Sequence, residues 1–350
     1  MARTRAWAVL VLLGMTLAAG CGGDRAGGDE QGWIVGLLDR IPAAGGSAEF
    51  LMVVDMAGAA AAGGVAVPAP GAPADEIADF LFALPRDTLV PDLLQDPFPD
   101  FDALTRELGI DAALVTAAIM ASNPPETYQV LAGDFDPAAV DTAVRSDSVW
   151  GDLLTTAEHQ GVAYYAWGED FESDLRRVTA VRPQGRGGRL ALDDGWLYWV
   201  PWTAGIEGLI DAGAGRTASL ADDPGFARVA AALEAAGVYS AVLTDRGLDE
   251  TASALAIGAG GGGDEAGAFW VIAAVHNSAA EAEAAAAEVE RVLADGSTSA
   301  TRQPWSERVS DVQVTLDDAL MVVTVRSTFP AGDWWQAFST RDAVMLAAQG

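Results

Sequence analysis

The sequence predicts an α+β fold: two similar modules, each a mainly antiparallel sheet packed against helices in the order helix-strand-strand-helix-strand-strand-helix. Three observations carry this. Short apolar runs follow one another through turn residues instead of long crossovers, which is the pattern of antiparallel pairing. Helix starts are marked by capping residues at Asp136-Pro137, Asp223-Pro224 and Ser278-Ala279-Ala280-Glu281. The same order of elements recurs over 97–215 and 216–350.

Taken in order, residues 21–45 begin Gly-rich and polar (GGDRAGGDEQG over 22–32) and predict a flexible tether. The segment 46–96 opens with an apolar run at 48–56 containing Phe50, Val53 and Val54, which predicts a buried strand. Residues 57–74 are rich in Ala, Gly and Pro and carry no charge before position 75; they predict a loop. A helix over 75–84 puts Ile77, Phe80, Leu81 and Leu84 on one face, with Asp75 and Glu76 at the end where the helix dipole favours acids, and Pro85 stops it.

In the first module a helix runs to Leu108 with Gly109 as its stop, followed by strands at 113–121 and 128–132, a helix over 137–144 capped by Asp136, and strands at 162–167 and 196–202. Residues 168–189 are an insertion with a further candidate strand at 177–181, and a helix at 204–211 closes the module. In the second module, the helix begun by Asp223-Pro224 runs to Gly237. Strands follow at 238–244 and 269–275, then a helix to Leu293, strands at 309–315 and 320–325, and a closing helix over 333–347. Asp193-Asp194 and Asp317-Asp318 precede the last strand of each module and predict hairpin turns, because Asp bonds its own backbone and tolerates left-handed geometry.

Half of the chain, 51%, is hydrophobic, enough for a sizeable core. There is no lysine, and 20 arginines stand against 50 acids, giving a net charge of −30. Such a field repels nucleic acid and anionic lipid headgroups, so no nucleic-acid partner is expected.

The leader explains how such an acidic chain would meet a membrane. Arg3 and Arg5 precede an apolar run from Ala6 to Ala19, a basic and then hydrophobic secretory pattern too short to span a bilayer, which needs about 20 apolar residues. It ends in Leu17-Ala18-Ala19-Gly20-Cys21, the last being the only cysteine of the chain. This resembles the lipobox of bacterial lipoproteins, with Ala18 where Leu is commoner. The resemblance covers the first 21 residues. It implies that 1–20 is a signal peptide cut after Gly20, and that Cys21 carries lipid. The expected location is then outside the cytosol, with the membrane as a partner through the acyl chains on Cys21.

No catalytic constellation stands out. The two histidines lie in different modules, so no zinc set forms; His159 reads as a solvated loop residue and His276 as a surface or capping residue. Neither Asp96–Asp102 nor 133–136 fits an EF-hand loop. There is no Gly-x-Ser-x-Gly elbow and no lysine base. The Gly-x-Gly-x-x-Gly string at 258–263 lacks a following helix and reads as a mobile hairpin loop, so no cofactor is expected. Aromatic residues are the candidates for ligand contact: Tyr164 and Trp167 on one strand, and Trp196, Tyr198 and Trp202 on another, the last three sharing a face.

The body also resembles an uncharacterised group of bacterial secreted or lipid-anchored proteins. The matching features are Gly133-Asp134-Phe135-Asp136 leading into a helix, the Asp193-Asp194 hairpin, and Ser219-Leu220-Ala221-Asp222-Asp223-Pro224. The resemblance spans roughly 97–240 and implies the fold, with no activity. These observations point to a non-enzymatic, lipid-anchored envelope protein that binds a ligand or another envelope component. A carrier of a hydrophobic molecule held between sheet and helices is the alternative, and a hydrolase built on carboxylates the third.

Overall fold

The computed structural model describes residues 32–43, 50–95, 100–261, 268–299, 301–328 and 331–349. Gly20, Cys21 and the rest of 1–31 lie outside the described residues, as does 262–267 of the glycine-rich run. The chain enters at helix α1 (Trp33–Leu38), whose Ile34, Leu37 and Leu38 are wholly buried, so the tether expected over 21–45 gives way to packed structure by Trp33. The 34/37/38 spacing supplies a helical stripe, and that stripe fixes the segment against the sheet.

Strand β1 (Phe50–Asp55) is where a buried strand was expected. The stretch read as a loop instead opens with helix α2 (Met56–Gly63). Asp55 caps it by accepting from the Gly58 amide at 3.0 Å, and Gly64 closes it. Its alanines carry no amphipathic signal, yet alanine is the best helix former, and burial of Met56, Ala59 and Ala60 gives the helix a face. Helices α3 (Ala74–Ala83), α4 (Asp92–Gln95) and α5 (Phe101–Leu108) follow. Gly109 ends α5 at φ 69°, where a Cβ would stand 2.6 Å from the carbonyl oxygen of Ala139.

The chain continues with β2 (Val115–Asn123), β3 (Glu126–Gly133), α6 (Pro137–Ser146), β4 (Leu154–His159), β5 (Val162–Trp167), β6 (Arg189–Asp193), β7 (Trp196–Val200) and α7 (Thr203–Gly213). After it come α8 (Pro224–Ala235), β8 (Val238–Thr244), β9 (Ala252–Gly260), β10 (Phe269–His276), α9 (Ala279–Asp295), β11 (Val309–Asp317), β12 (Leu320–Ser327), α10 (Ala331–Ser339) and α11 (Ala343–Ala347). Helix caps act as expected: Asp136 accepts from Ala138 N, Asp223 from Gly225 N and Phe226 N, and Ser278 from Glu281 N. Both Asp-Asp turns form, with Asp194 at φ 43° and Asp318 at φ 53°.

Further elements differ from the expectation, among them strand β6, which pairs between β5 and β7 where only a turn at Asp193-Asp194 was read. Strand β4 was not foreseen, because an edge strand exposed on both faces has no apolar alternation. Strand β9 takes up Gly258 and Gly260, which had been read as loop; between β8 and β10 its small residues are buried on both faces. The candidate strand at 177–181 is replaced by a short 3-10 turn, Leu175–Arg177. The single closing helix is two, α10 and α11, separated where Arg341 takes φ 52°.

The twelve strands of the described residues join one sheet in the order β11-β12-β10-β9-β8-β1-β2-β3-β7-β6-β5-β4, and every pairing among them is antiparallel. Strand β1 is the seam: it pairs with β2 from Phe50 to Asp55 and with β8 from Leu51 to Val54. Alternate residues feed two cores. Helices α2, α3, α5, α6, α9, α10 and α11 cover the first face; α1, α7 and α8 cover the second. Antiparallel sheets commonly leave one face to water, whereas the central strands β8, β9 and β10 here are buried on both.

Candidate functional site

Between β5 and β6 the chain forms a strap, residues 168–188, whose middle lies on the first face of the outer strands. Arg182 projects from it into the protein and is 3% exposed. Its guanidinium carbon stands 5.1 Å from the ring centre of Trp150, 4.8 Å from Trp167 and 5.7 Å from Trp199. Trp167 reaches this point from the end of β5, Trp199 from β7 and Trp150 from the α6–β4 connection. Two glycines allow the approach: a Cβ on Gly187 would lie 1.9 Å from the Trp167 carbonyl oxygen, and one on Gly188 2.8 Å from the Trp199 ring.

Two carboxylates complete the box. Arg182 Nη1 is 3.4 Å from Asp147 Oδ2, at the C-terminal end of α6, and 3.6 Å from Glu107 Oε2, on the inner side of α5. These distances exceed the 2.7–2.9 Å usual for charge-assisted bonds. Among the described residues Arg182 Nε and Nη2 are buried with no hydrogen-bond partner. Burial pulls the Arg182 guanidinium down to about 10 against the opposing pull of Asp147 and Glu107. Burial likewise raises the Glu107 carboxyl, although Thr179 Oγ1 donates to it at 2.7 Å. The strap is pinned further by Trp150 Nε1 donating to the Arg177 carbonyl and by Arg177 gripping both oxygens of Asp152. Chemically the box sets three electron-rich ring faces and two buried carboxylates around one positive charge.

The aromatic residues proposed from the sequence divide between the faces. Tyr164, Trp196, Tyr198 and Trp202 share the second face, while Trp167 is on the first. Strand β6 separates β5 from β7, so the two aromatic strands are not neighbours. Each of the four second-face residues is at most 8% exposed. Trp202 packs edge-on to Tyr128 at 4.7 Å and stacks on Phe171 at 5.4 Å, and Arg40 sits 4.5 Å above Trp196. They are packed on protein, as core residues are.

His159, expected in solvent, bonds Asp211 of α7 at 3.0 Å and lies 3.9 Å from Glu207. The edge hairpin carries it onto that helix. His276, expected at the surface, is buried. Among the described residues no group of three His, Cys, Asp or Glu is placed to hold a metal ion, and no helix is long and apolar enough to cross a membrane. Sequence reading missed Arg182, Glu107, Asp147 and Trp150. A usable signal was present: arginines at 176, 177, 182, 186 and 189 crowd an insertion lying between Trp150 and Trp199.

No protein-family model matches the chain, and no curated protein does. Among solved structures, crystal form I of TP0453 is similar with a TM-score of 0.40 at 10% identity, over 87% of this chain and 96% of that one.

Proposed function

We propose that the protein is a non-enzymatic, lipid-anchored binding protein of the cell envelope, moored through Cys21 after cleavage at Gly20. The observation that carries this reading is Leu17-Ala18-Ala19-Gly20-Cys21, with the only cysteine of the chain at the acylation position. The net charge of −30 fits attachment by acyl chains, since no basic patch supplies attraction to anionic headgroups. Binding is supported by the Arg182 box, where a buried guanidinium lies among three ring faces. The carrier alternative draws less support, because Tyr164, Trp196, Tyr198 and Trp202 are in contact with protein groups.

The reading includes an internal repeat. In each half the strand before the middle helix pairs with the last strand: β3 with β7, and β10 with β12. The middle helices α6 and α9 both cover the first face.

The intact mass of the protein purified from its native host tests the anchor. The expected mass is that of residues 21–350 plus diacylglycerol and any N-acyl group, and the Cys21→Ser variant should keep its leader and lose the lipid. A free thiol or an uncut leader in the wild-type protein overturns the proposal.

A further inference from the structure

We infer that the Trp150/Trp167/Trp199 box is a receptor for a quaternary ammonium group, and that the strap holds Arg182 in it as a displaceable internal plug. This names a ligand class for the binding role above and rests on that reading.

The fit between box and plug is the starting point. A guanidinium brings five N–H donors. Among the described residues only Nη1 meets acceptors, at 3.4 and 3.6 Å, and Nε and Nη2 are enclosed without any. Donors buried unmade are costly, and a buried ion cluster often stabilises less than an apolar replacement. A trimethylammonium group has no N–H to leave unmade. It presents methyl groups and diffuse positive charge to ring faces, the combination aromatic cages recognise. Glu107 and Asp147 supply the countercharge without needing a directed bond.

The strap has the attributes of a removable cover. Its outer side exposes Leu175 by 77% and Val178 by 50%. Its grip on Asp152 is at a largely exposed carboxylate, and Arg176 is 90% exposed. Such rim ion pairs contribute little. Withdrawal of the strap would leave β5, β6 and β7 in place in the sheet, with the box open on the first face. A ligand therefore competes with Arg182, and wild-type affinity is lowered by the fraction of time the plug is seated.

The test uses the full-length chain, wild type and Arg182→Ala, titrated with choline against potassium chloride at equal ionic strength. Tryptophan fluorescence and the thermal midpoint are read, together with the rate of tryptic cutting after Arg176. Arg182→Ala should bind choline saturably, and choline should raise its thermal midpoint above the value in potassium chloride. Adding Trp199→Ala should weaken that binding by about tenfold or more. The wild type should bind about tenfold more weakly than Arg182→Ala, with choline speeding the cut after Arg176. A folded Arg182→Ala protein that responds to choline no more than to potassium overturns the proposal. If that variant does not fold, the wild-type cutting rate decides: acceleration by choline supports the plug, and equal rates in the two salts overturn it. The acylation of Cys21 is read separately by mass, so a negative choline result removes the ligand class and leaves the anchored protein standing.

Discussion

His276 ends β10 and is 3% exposed, with the Thr251 backbone and the Glu281 carboxylate beside its ring. Burial holds its pKa below the ordinary histidine value, and the nearby charge of Glu281 offsets this only in part. The sign of the consequence is fixed. The unfolded chain titrates near 6.5 and the folded chain lower, so below about pH 6.5 the unfolded state binds the extra proton. Stability should therefore fall as pH drops through about 6.5, until the depressed folded pKa is reached. His276→Gln should flatten that part of a plot of thermal midpoint against pH. An equal slope in both proteins would place the acid sensitivity elsewhere. In the sequence this histidine stands between an apolar strand and a capping signal, a place that reads as surface. What buries it is non-local: the chain returns at its end, where Gln349 accepts from Thr251 at 2.5 Å beside the β9–β10 pairing. The set of partners around Arg182 was illegible for the same reason, although the crowding of arginines in 168–189 marked the segment. These partners come from positions 107, 147, 150, 167 and 199, and no spacing rule links them.

Among the elements, those with a local chemical mark were legible. Asp136-Pro137, Asp223-Pro224 and Ser278…Glu281 begin helices because their side chains take up amides that no turn of helix can satisfy. Strands β4 and β9 have no such mark. One is polar on both sides and lies at the sheet edge, and the other is small and apolar on both sides and lies inside, so neither alternates. The α5–α6 pair shows how a stop signal also sets packing. Gly109 is held at φ 69°, and a methyl group there would meet the backbone of Ala139 and Val140 at 2.6 Å. Gly109→Ala should thus cost more than backbone strain alone, about 2–3 kcal/mol in urea denaturation. Gly64, also left-handed but with open space where its Cβ would be, is the control, and Gly64→Ala should cost about 1 kcal/mol. Equal losses at the two sites would remove the packing argument. The same clash would press on Asp147 through α6, so the Arg182 box depends on this glycine as well as on its own rings.

Across the whole molecule the decisive feature is β1. A two-module sequence suggests two melting units, but β1 bonds to β2 of one half and β8 of the other, and neither half can leave without exposing a long edge in mid-sheet. The two cores are arranged the same way. The first-face core runs without a break from Trp150 and Trp167 to Trp270 and Trp334, and the second from Tyr164 to Val275. Unpaired strand edges and half-opened cores are costly in water, so the halves should unfold together. Calorimetry should show one transition whose van't Hoff and calorimetric enthalpies agree, despite a length of 350 residues. Two resolved transitions would mean that the seam is weaker than its pairing implies. The sharper version breaks the seam itself. Val53 and Val54 point to opposite cores, one residue apart on β1, and both are at most 1% exposed. Val53→Asp puts an unpaired charge in the second core at the junction of the halves, which should lower the midpoint of both halves together. A probe confined to each half, Trp167 and Trp270 for example, would report the same loss if the sheet is one cooperative unit, and different losses if it is not.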